Sequence, residues 1–343
     1  MKQESYTISR RNFLAGAAGL AGGMLVARVG WAQSGFSGHV NIATASSNLA
    51  TTMQTLLQQG GFLKRFGLAA DLTFVQDGNK LMGSVLAGDI DLCPLSGFSQ
   101  LFPAVSKGAA VKLVNGSVRY GQQAIFSKNP DVKSIADLRG KSIGIGAIGA
   151  QLHQVTLALL LKNGVDPDEV TFANVGSSAD VFRAIVAGVV DAGSSQIDNI
   201  PIAEEKGVHI VEGGRMWIDL KEFPFQGGYA SDDAITSKRE LLVHTLAAYA
   251  ALFRHVSSPD SLEAFKEARR TALSGTGADF DAASEFQWKF MQENQPFAND
   301  LEITPEGVDY VQDLNIRVKV QQEKLPFDKT VDMSLAAEAI KLL

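Results

Sequence analysis

Leu86-Ala87-Gly88-Asp89-Ile90-Asp91 returns one hundred residues later as Val186-Ala187-Gly188-Val189-Val190-Asp191. At the same offset Val75 matches Val175, Leu81 matches Val181 and Val85 matches Ile185. Read with the apolar spacing around them, both stretches run strand, helix, capping glycine, strand, in the same register. Any two αβ units share a glycine after the helix, so the Ala-Gly pair alone says little. The whole order in register says that the chain carries two related α/β halves.

Outward from the repeat, short apolar runs alternate with helix-period runs, the pattern of α/β layering. Strands are expected at His39–Thr44, Leu72–Gln76, Ile90–Leu95, Val111–Val118, Gln122–Ser127, Ser142–Gly146, Val170–Val175, Val189–Ser195 and Val208–Val211. Leu49, Met53, Leu56 and Leu57 mark the buried face of one helix, and Leu152, Val155, Leu159 and Leu160 that of another, which Gly164 ends as a left-handed cap. After Tyr229 the texture turns helical. Ser237 with Glu240 has capping-box spacing before Leu241–Phe253, and Thr304-Pro305 reads as an N-cap and first-turn proline before Val308–Leu314. With no low-complexity linker in between, these helices are expected to pack back on the first half.

Each half opens with a strand that feeds a helix through small residues: Asn41 to Asn48 in the first, Ser142 to Gly149 in the second. The second loop spells G-x-G-x-x-G at Gly144, Gly146 and Gly149, which raises a dinucleotide site. Such a site needs a carboxylate at the end of the next strand to hold a ribose. Gly176-Ser177-Ser178 stands there instead, while Asp166, Asp168 and Glu169 precede that strand at its wrong end. An exported nicotinamide-dependent oxidoreductase using Gly144–Gly149 is therefore the alternative, not the leading reading.

Composition narrows the classes further. With 343 residues, 45% of them hydrophobic, the chain can bury a large core and divide into two globular units; disordered and collagen-like readings are excluded. Ser9-Arg10-Arg11-Asn12-Phe13-Leu14, the apolar run Phe13–Ala27 and the small-residue site Gly30-Trp31-Ala32 have the layout of a twin-arginine export signal, expected over residues 1-32 and implying a periplasmic destination. Its removal takes the net charge from −6 to about −9. An acidic chain without a basic stripe is a poor nucleic-acid or anionic-membrane binder. Cys93 is the single cysteine, so no intramolecular disulfide can form, and its apolar surroundings predict a buried, inert thiol.

Catalytic and metal motifs are missing: no H-E-x-x-H, no C-x-x-C, no G-x-S-x-G, and the five histidines are scattered. Asp89 and Asp91 are expected to face solvent or cap a turn. No cofactor, no metal and no catalysis are expected. What the strand–helix loops do offer is free N–H groups at the positive end of a helix, which hold anions or polar head groups without a basic side chain. Ala45–Asn48, Leu95–Phe98, Ala147–Gln151, Gly176–Ser178 and Gln196–Asp198 all follow strand ends, where α/β sheets bind ligands. His153, in the first turn after the glycine loop, reads either as a half-exposed helix histidine or as a cleft residue. Asp198 reads as the cap of a helix over Asn199–Lys206, or as a cleft carboxylate for an amine-bearing ligand. Phe98 and Tyr229 could stack on a ring or simply pack.

On these residues the chain resembles the substrate-binding proteins of ABC importers of the sulfonate, nitrate and taurine type, related to binders of thiamine-pyrimidine precursors. The likeness covers roughly residues 38–215. It rests on Asn41–Leu57, Leu86–Leu92, Ile135-Ala136-Asp137-Leu138-Arg139-Gly140-Lys141 and Ala187–Ala192. It implies the two-lobed periplasmic-binding-protein fold of type II, with crossovers near Ser117–Tyr120 and Gln226–Ser231. Lobe one would comprise residues 33-118 and 230-343, lobe two residues 119-229. It implies a monomer that closes on a small solute and delivers it to an inner-membrane permease; a pyrimidine-precursor binder or pyrimidine-forming enzyme on the same fold is a further possibility. Carried over position by position, the ligand residues fall on Ser46, Ser47, Ser96, Gly97, Ser117, Ala147, Gly149, Gln151, His153, Ser177, Gln196, Ile197, Asp198, Gln226 and Tyr229. Where the family often has Ser or Thr, this chain has Ala147, Ile148 and Gly149, which removes hydroxyl donors from that loop.

Overall fold

The structure, a computed structural model, describes residues 35–75 and 77–343. The export signal expected over residues 1-32 and the end of the expected strand at Gln76 lie outside the described residues.

Strands β1 (Gly38–Ala45) and β2 (Leu68–Val75) pair in parallel. Strand β10 (Gln226–Ser231) lies antiparallel between β3 (Cys93–Ser96) and β4 (Val111–Val118). A parallel bridge between Ile42 and Leu92 joins the two groups, giving the order β2-β1-β3-β10-β4. The second sheet holds β5 (Gln123–Ser127), β6 (Ser142–Ile145), β7 (Thr171–Asn174), β8 (Ala192–Gln196) and β9 (His209–Arg215), in the order β7-β6-β8-β5-β9. Matching β1 with β6, β2 with β7, β3 with β8, β10 with β5 and β4 with β9, the two sheets have one topology. In each, the antiparallel strand is the one that arrives from the other sheet. The two passages of chain lie side by side: Val118 pairs with Gln226, and Phe225 N–H donates to Arg119 O at 3.3 Å.

The repeat seen in the sequence is carried down to single hydrogen bonds. Helices α1 (Asn48–Gln59) and α2 (Gly78–Ala87) serve the first sheet, α3 (Gln151–Lys162) and α4 (Ser178–Val186) the second. Asp77 caps α2 and Ser177 caps α4, again one hundred residues apart. Gly88 and Gly188 follow these helices with φ of 81° and 71°, the left-handed conformation that only glycine adopts without strain. Beyond them, Asp91 accepts from Asn41 N–H at 2.8 Å and Asp191 from Ser142 N–H at 2.9 Å. Each carboxylate thus ties the approach to β3 or β8 to the neighbouring parallel strand, β1 or β6. Asp91 does not face solvent as expected: it is 3% exposed and pairs with Lys238, because this tie lies below the sheet surface. Asp89 is exposed.

Leu49, Met53, Leu56 and Leu57 of α1 and Val155, Leu159 and Leu160 of α3 are buried as their spacing requires. Each large aliphatic chain so buried contributes roughly 1.5–3 kcal/mol. Val181, Phe182 and Ile185 of α4 pack with Ala124, Phe126 and Val190 on the second sheet. After β10 come α5 (Arg239–Val256), α6 (Leu262–Leu273), α7 (Ala278–Asn294), α8 (Pro305–Arg317) and α9 (Ser334–Ile340). Helices α5 and α6 pack on α1, returning the chain to the first sheet, but α8 packs on α3 and Phe290 of α7 stands edge-on to Trp217. Thr304 caps α8 and Gly164 follows α3 with φ of 69°, both as read from sequence. The Ser237–Glu240 capping box does not form. Ser231 starts a short helix, Asp232–Ser237, that absorbs Ser237 as its last residue, so its hydroxyl donates backwards to Asp233 O.

Candidate functional site

The loops after β1, β3, β6, β7 and β8 lie at the same end of their sheets, the end where α/β proteins bind ligands. Two of the helices that begin there satisfy their own first turn. Ser47 Oγ accepts from Ala50 N–H at 3.1 Å at the start of α1, and Ser177 forms a reciprocal box with Asp180 at the start of α4. Ser46 is exposed, its N–H donating to Val75 O at 2.9 Å. The third helix, α3, begins at Ala150, which has no side chain to cap it. Its loop is shaped by Gly149, with φ of 79°, whose N–H donates to His153 Nδ1 at 3.0 Å. His153 is neither half-exposed nor open to a cleft. It is 3% exposed and edge-on to Phe172 at 4.7 Å, and burial pushes its pKa down to about 4, so it is the neutral ring whose Nδ1 accepts.

Loops from the two sheets touch. Ser99 Oγ donates to Gly149 O at 3.2 Å, and Gly97 lies so close to Gln151 that a Cβ there would come within 3.1 Å of its side chain. Gln151 Nε2 donates to Phe225 O beside the chain passage, and with Gly97, Ser99 and Val311 it lines a small pocket. At the other flank, Asn48 Nδ2 reaches Asp198 Oδ2 at 3.5 Å. Ala147 is exposed at the tip of the glycine loop, next to Ile148. The remaining carried-over positions are deeper. Ser96 is buried, and Ser117 is wholly buried with its hydroxyl donating to Pro94 O. Ile197 is wholly buried, and Gln196 Nε2 donates to Ser178 Oγ at 3.4 Å. Gln226 is 8% exposed within β10. Tyr229 is fully buried and Phe98 nearly so, Phe98 standing edge-on to Phe102 at 6.1 Å; both pack.

Asp198 is not a helix cap. The short helix there, Ile200–Ala203, has Asn199 at its N-cap without a side-chain bond. The carboxylate is taken instead by Arg269 of α6, whose Nη2 donates to Asp198 Oδ2 at 3.0 Å. Arg269 is 3% exposed and a charge so buried requires a partner, which outweighs the half-solvated capping role. Sequence reading missed Arg269, which sits in an ordinary amphipathic helix 71 residues from its partner. It also missed Gln122, 1% exposed at the loop end of β5 with neither amide atom hydrogen-bonded. No spacing marks either residue.

The dinucleotide alternative gains nothing from the structure. Strand β7 ends in Asn174, and Asp180, the next carboxylate along, is engaged by Ser177 and Arg183. Cys93 is wholly buried and burial pushes its thiol up to about 12, which removes it as a nucleophile. Among the described residues no group of His, Cys, Asp and Glu is placed to hold a metal ion, and no helix is long and apolar enough to cross a membrane.

A family model described as NMT1/THI5 like matches residues 52–249. No curated protein sequence matches the chain. Among solved structures, a protein of Bordetella bronchiseptica RB50 superposes with a TM-score of 0.70 at 21% identity, over 88% of this chain and 97% of that one. The periplasmic aliphatic sulphonate binding protein SsuA of Escherichia coli does so with a TM-score of 0.67 at 17% identity, over 86% and 92%. A third, DSZB in complex with biphenyl-2-sulfinic acid, has a TM-score of 0.58 at 14% identity, over 88% and 99%. These likenesses establish the two-lobed periplasmic-binding-protein fold. With more than half of its length matched by the family model, the chain belongs to the NMT1/THI5-like family.

Proposed function

We propose that the protein is the periplasmic solute-binding component of an ABC importer. It captures a small polar or anionic organic solute, of the sulfonate, nitrate or taurine kind, between two lobes and delivers it to a membrane permease. The observation that carries this reading is the meeting of strand-end loops from both sheets, at Ser99 with Gly149 and at Asn48 with Asp198, beside a helix start that no side chain caps. The sulphonate-binding neighbour lends the solute class its first candidates. Lobe one is taken as residues 33-118 and 230-343 and lobe two as residues 119-229, except that β10 draws Gln226–Tyr229 into the first sheet, with the hinge where Phe225 and Arg119 pair. Twin-arginine export through residues 1-32 delivers the protein to the periplasm, where it acts as a monomer without catalysis. Ser46, Ala147, Gly149 and Gln151 are the carried-over residues best placed to meet the solute.

The driving force is the solute's greater affinity for the closed arrangement of the lobes. Thermal-shift screening with sulfonates, nitrate, small carboxylates and aminopyrimidines tests the reading. A true ligand at 100 times its Kd stabilises the protein by about 2.7 kcal/mol. Absence of a shift with every anionic member would remove the helix-start anion site. NAD(P) copurifying with the protein, visible in its absorbance spectrum, would replace the importer reading with the oxidoreductase.

A further inference from the structure

We infer that Gln122 reads the solute, and that the solute carries a hydrogen-bond donor beside its acceptor atoms; this rests on the importer reading. Among the described residues, Gln122 alone has both polar atoms of its side chain buried and unpartnered. Its neighbour Gln123, the first residue of β5, has its carbonyl met by Ser194 Oγ at 3.0 Å, whereas Gln122 sits in the bend just before the strand. The residue stands at the ligand end of the second sheet, because Gln123 pairs with Gln196, the last residue of β8. Gln122 O accepts from Ile197 N–H at 3.2 Å, so the residue abuts the same loop as Arg269, which reaches it through Asp198. The guanidinium donates from Nη1 to Gln287 and from Nη2 to Asp198, while its Nε is buried without a partner.

A buried unpartnered polar group is costly, and a well-packed protein keeps such groups where something else fills them. What fills this site must suit both amide atoms. Gln122 Nε2 needs an acceptor, and Gln122 Oε1 needs a donor. Nitrate and an unsubstituted alkanesulfonate offer acceptors only, and would leave Oε1 orphaned in the closed protein. A solute with an amino, amide or hydroxyl hydrogen next to its oxygens or ring nitrogens satisfies both.

Calorimetric titration with two matched probe pairs tests this: taurine against ethanesulfonate, and 4-aminopyrimidine against pyrimidine. Within a pair that binds, the donor-bearing member should bind about tenfold tighter or more, as expected when the other leaves a buried acceptor unmet. Gln122→Leu should reduce the difference to about twofold or less. It should also raise the Tm of the unliganded protein by about 2 °C, because an orphaned amide is gone. Gln122→Met, closer in shape, supplies the same two readouts should the leucine variant fold poorly. Wild-type binding without discrimination within either pair, or a variant that keeps the discrimination or melts lower, would overturn the role of Gln122 and leave the importer reading standing. Failure of the wild type to bind any of the four would overturn that reading for these solutes together with its narrowing.

Discussion

The two strand–loop–helix jaws are built to one plan and finished differently. In the first, Ser47 meets one orphan N–H of α1, that of Ala50, with its own hydroxyl. In the second, Ala150 leaves α3 uncapped, and Gly149 bends the loop with a positive φ so that its carbonyl meets Ser99 of the other lobe. One jaw closes on itself. The other starts a twelve-residue helix without a side-chain cap, which under the proposed function leaves backbone donors at its positive end for a polar solute. Under the proposed function, Ala147, Ile148 and Gly149, which carry no hydroxyl, leave recognition in this loop to the backbone.

The largest expected effect concerns the contact between the jaws' flanks. Asp198→Ala leaves the Arg269 guanidinium buried without its anion and should cost about 3–5 kcal/mol in urea unfolding. Pairing it with Arg269→Met should recover most of that loss, and equal instability of the single and double variants would show that the ion pair is not what holds this flank. Next comes pH. His153 lies in the folded protein at about 4, below its ordinary 6.5, so it stays neutral in the fold while the unfolded chain takes up a proton. Its contribution is complete above pH 6.5 and is lost as pH falls towards 4, by up to about 3 kcal/mol. His153→Asn should flatten that part of the stability–pH curve; an unchanged slope would place the titration elsewhere.

Smaller effects compare the halves directly. Asp91→Ala and Asp191→Ala each orphan a strand N–H, of Asn41 and of Ser142, and should each cost about 1–3 kcal/mol. Asp91, the more buried and also paired with Lys238, should cost the more. The smallest pair is the sharpest. Ser47→Ala should lose about 1 kcal/mol, whereas Ala150→Ser should gain several tenths while weakening solute binding, because the new hydroxyl competes for the free N–H groups. Tighter binding by Ala150→Ser would instead mean that the family's hydroxyl donors are wanted there.

Much of this architecture was legible because it is local or repeated. The glycine caps at 88 and 188 and the apolar faces of α1 and α3 are set by chain conformation and periodicity, which sequence displays. Near Gln226–Ser231 the resemblance suggested only a crossover; that these residues form the antiparallel strand β10 was not read from the sequence. What stayed hidden depends on distant partners. Ser237 has the right spacing for a cap, but a helix begun at Ser231 reaches it first. Asp198 reads as a cap until α6, folded back from far along the chain, presents Arg269. Gln122 is an ordinary glutamine until tertiary packing buries it without a partner.

The direct test is calorimetric titration of the wild type and of Gly149→Val with the solute that gives the largest thermal shift. A valine at a φ of 79° costs about 1–2 kcal/mol of strain, too little to unfold the second lobe, but it strains the loop proposed to meet the solute and sets a Cβ 3.6 Å from Val320 Cγ1. Binding by the wild type that falls at least about tenfold in Gly149→Val, with the melting transition still cooperative, is the predicted result. Equal affinity in the two proteins would put the solute outside the cleft and contradict the clamp.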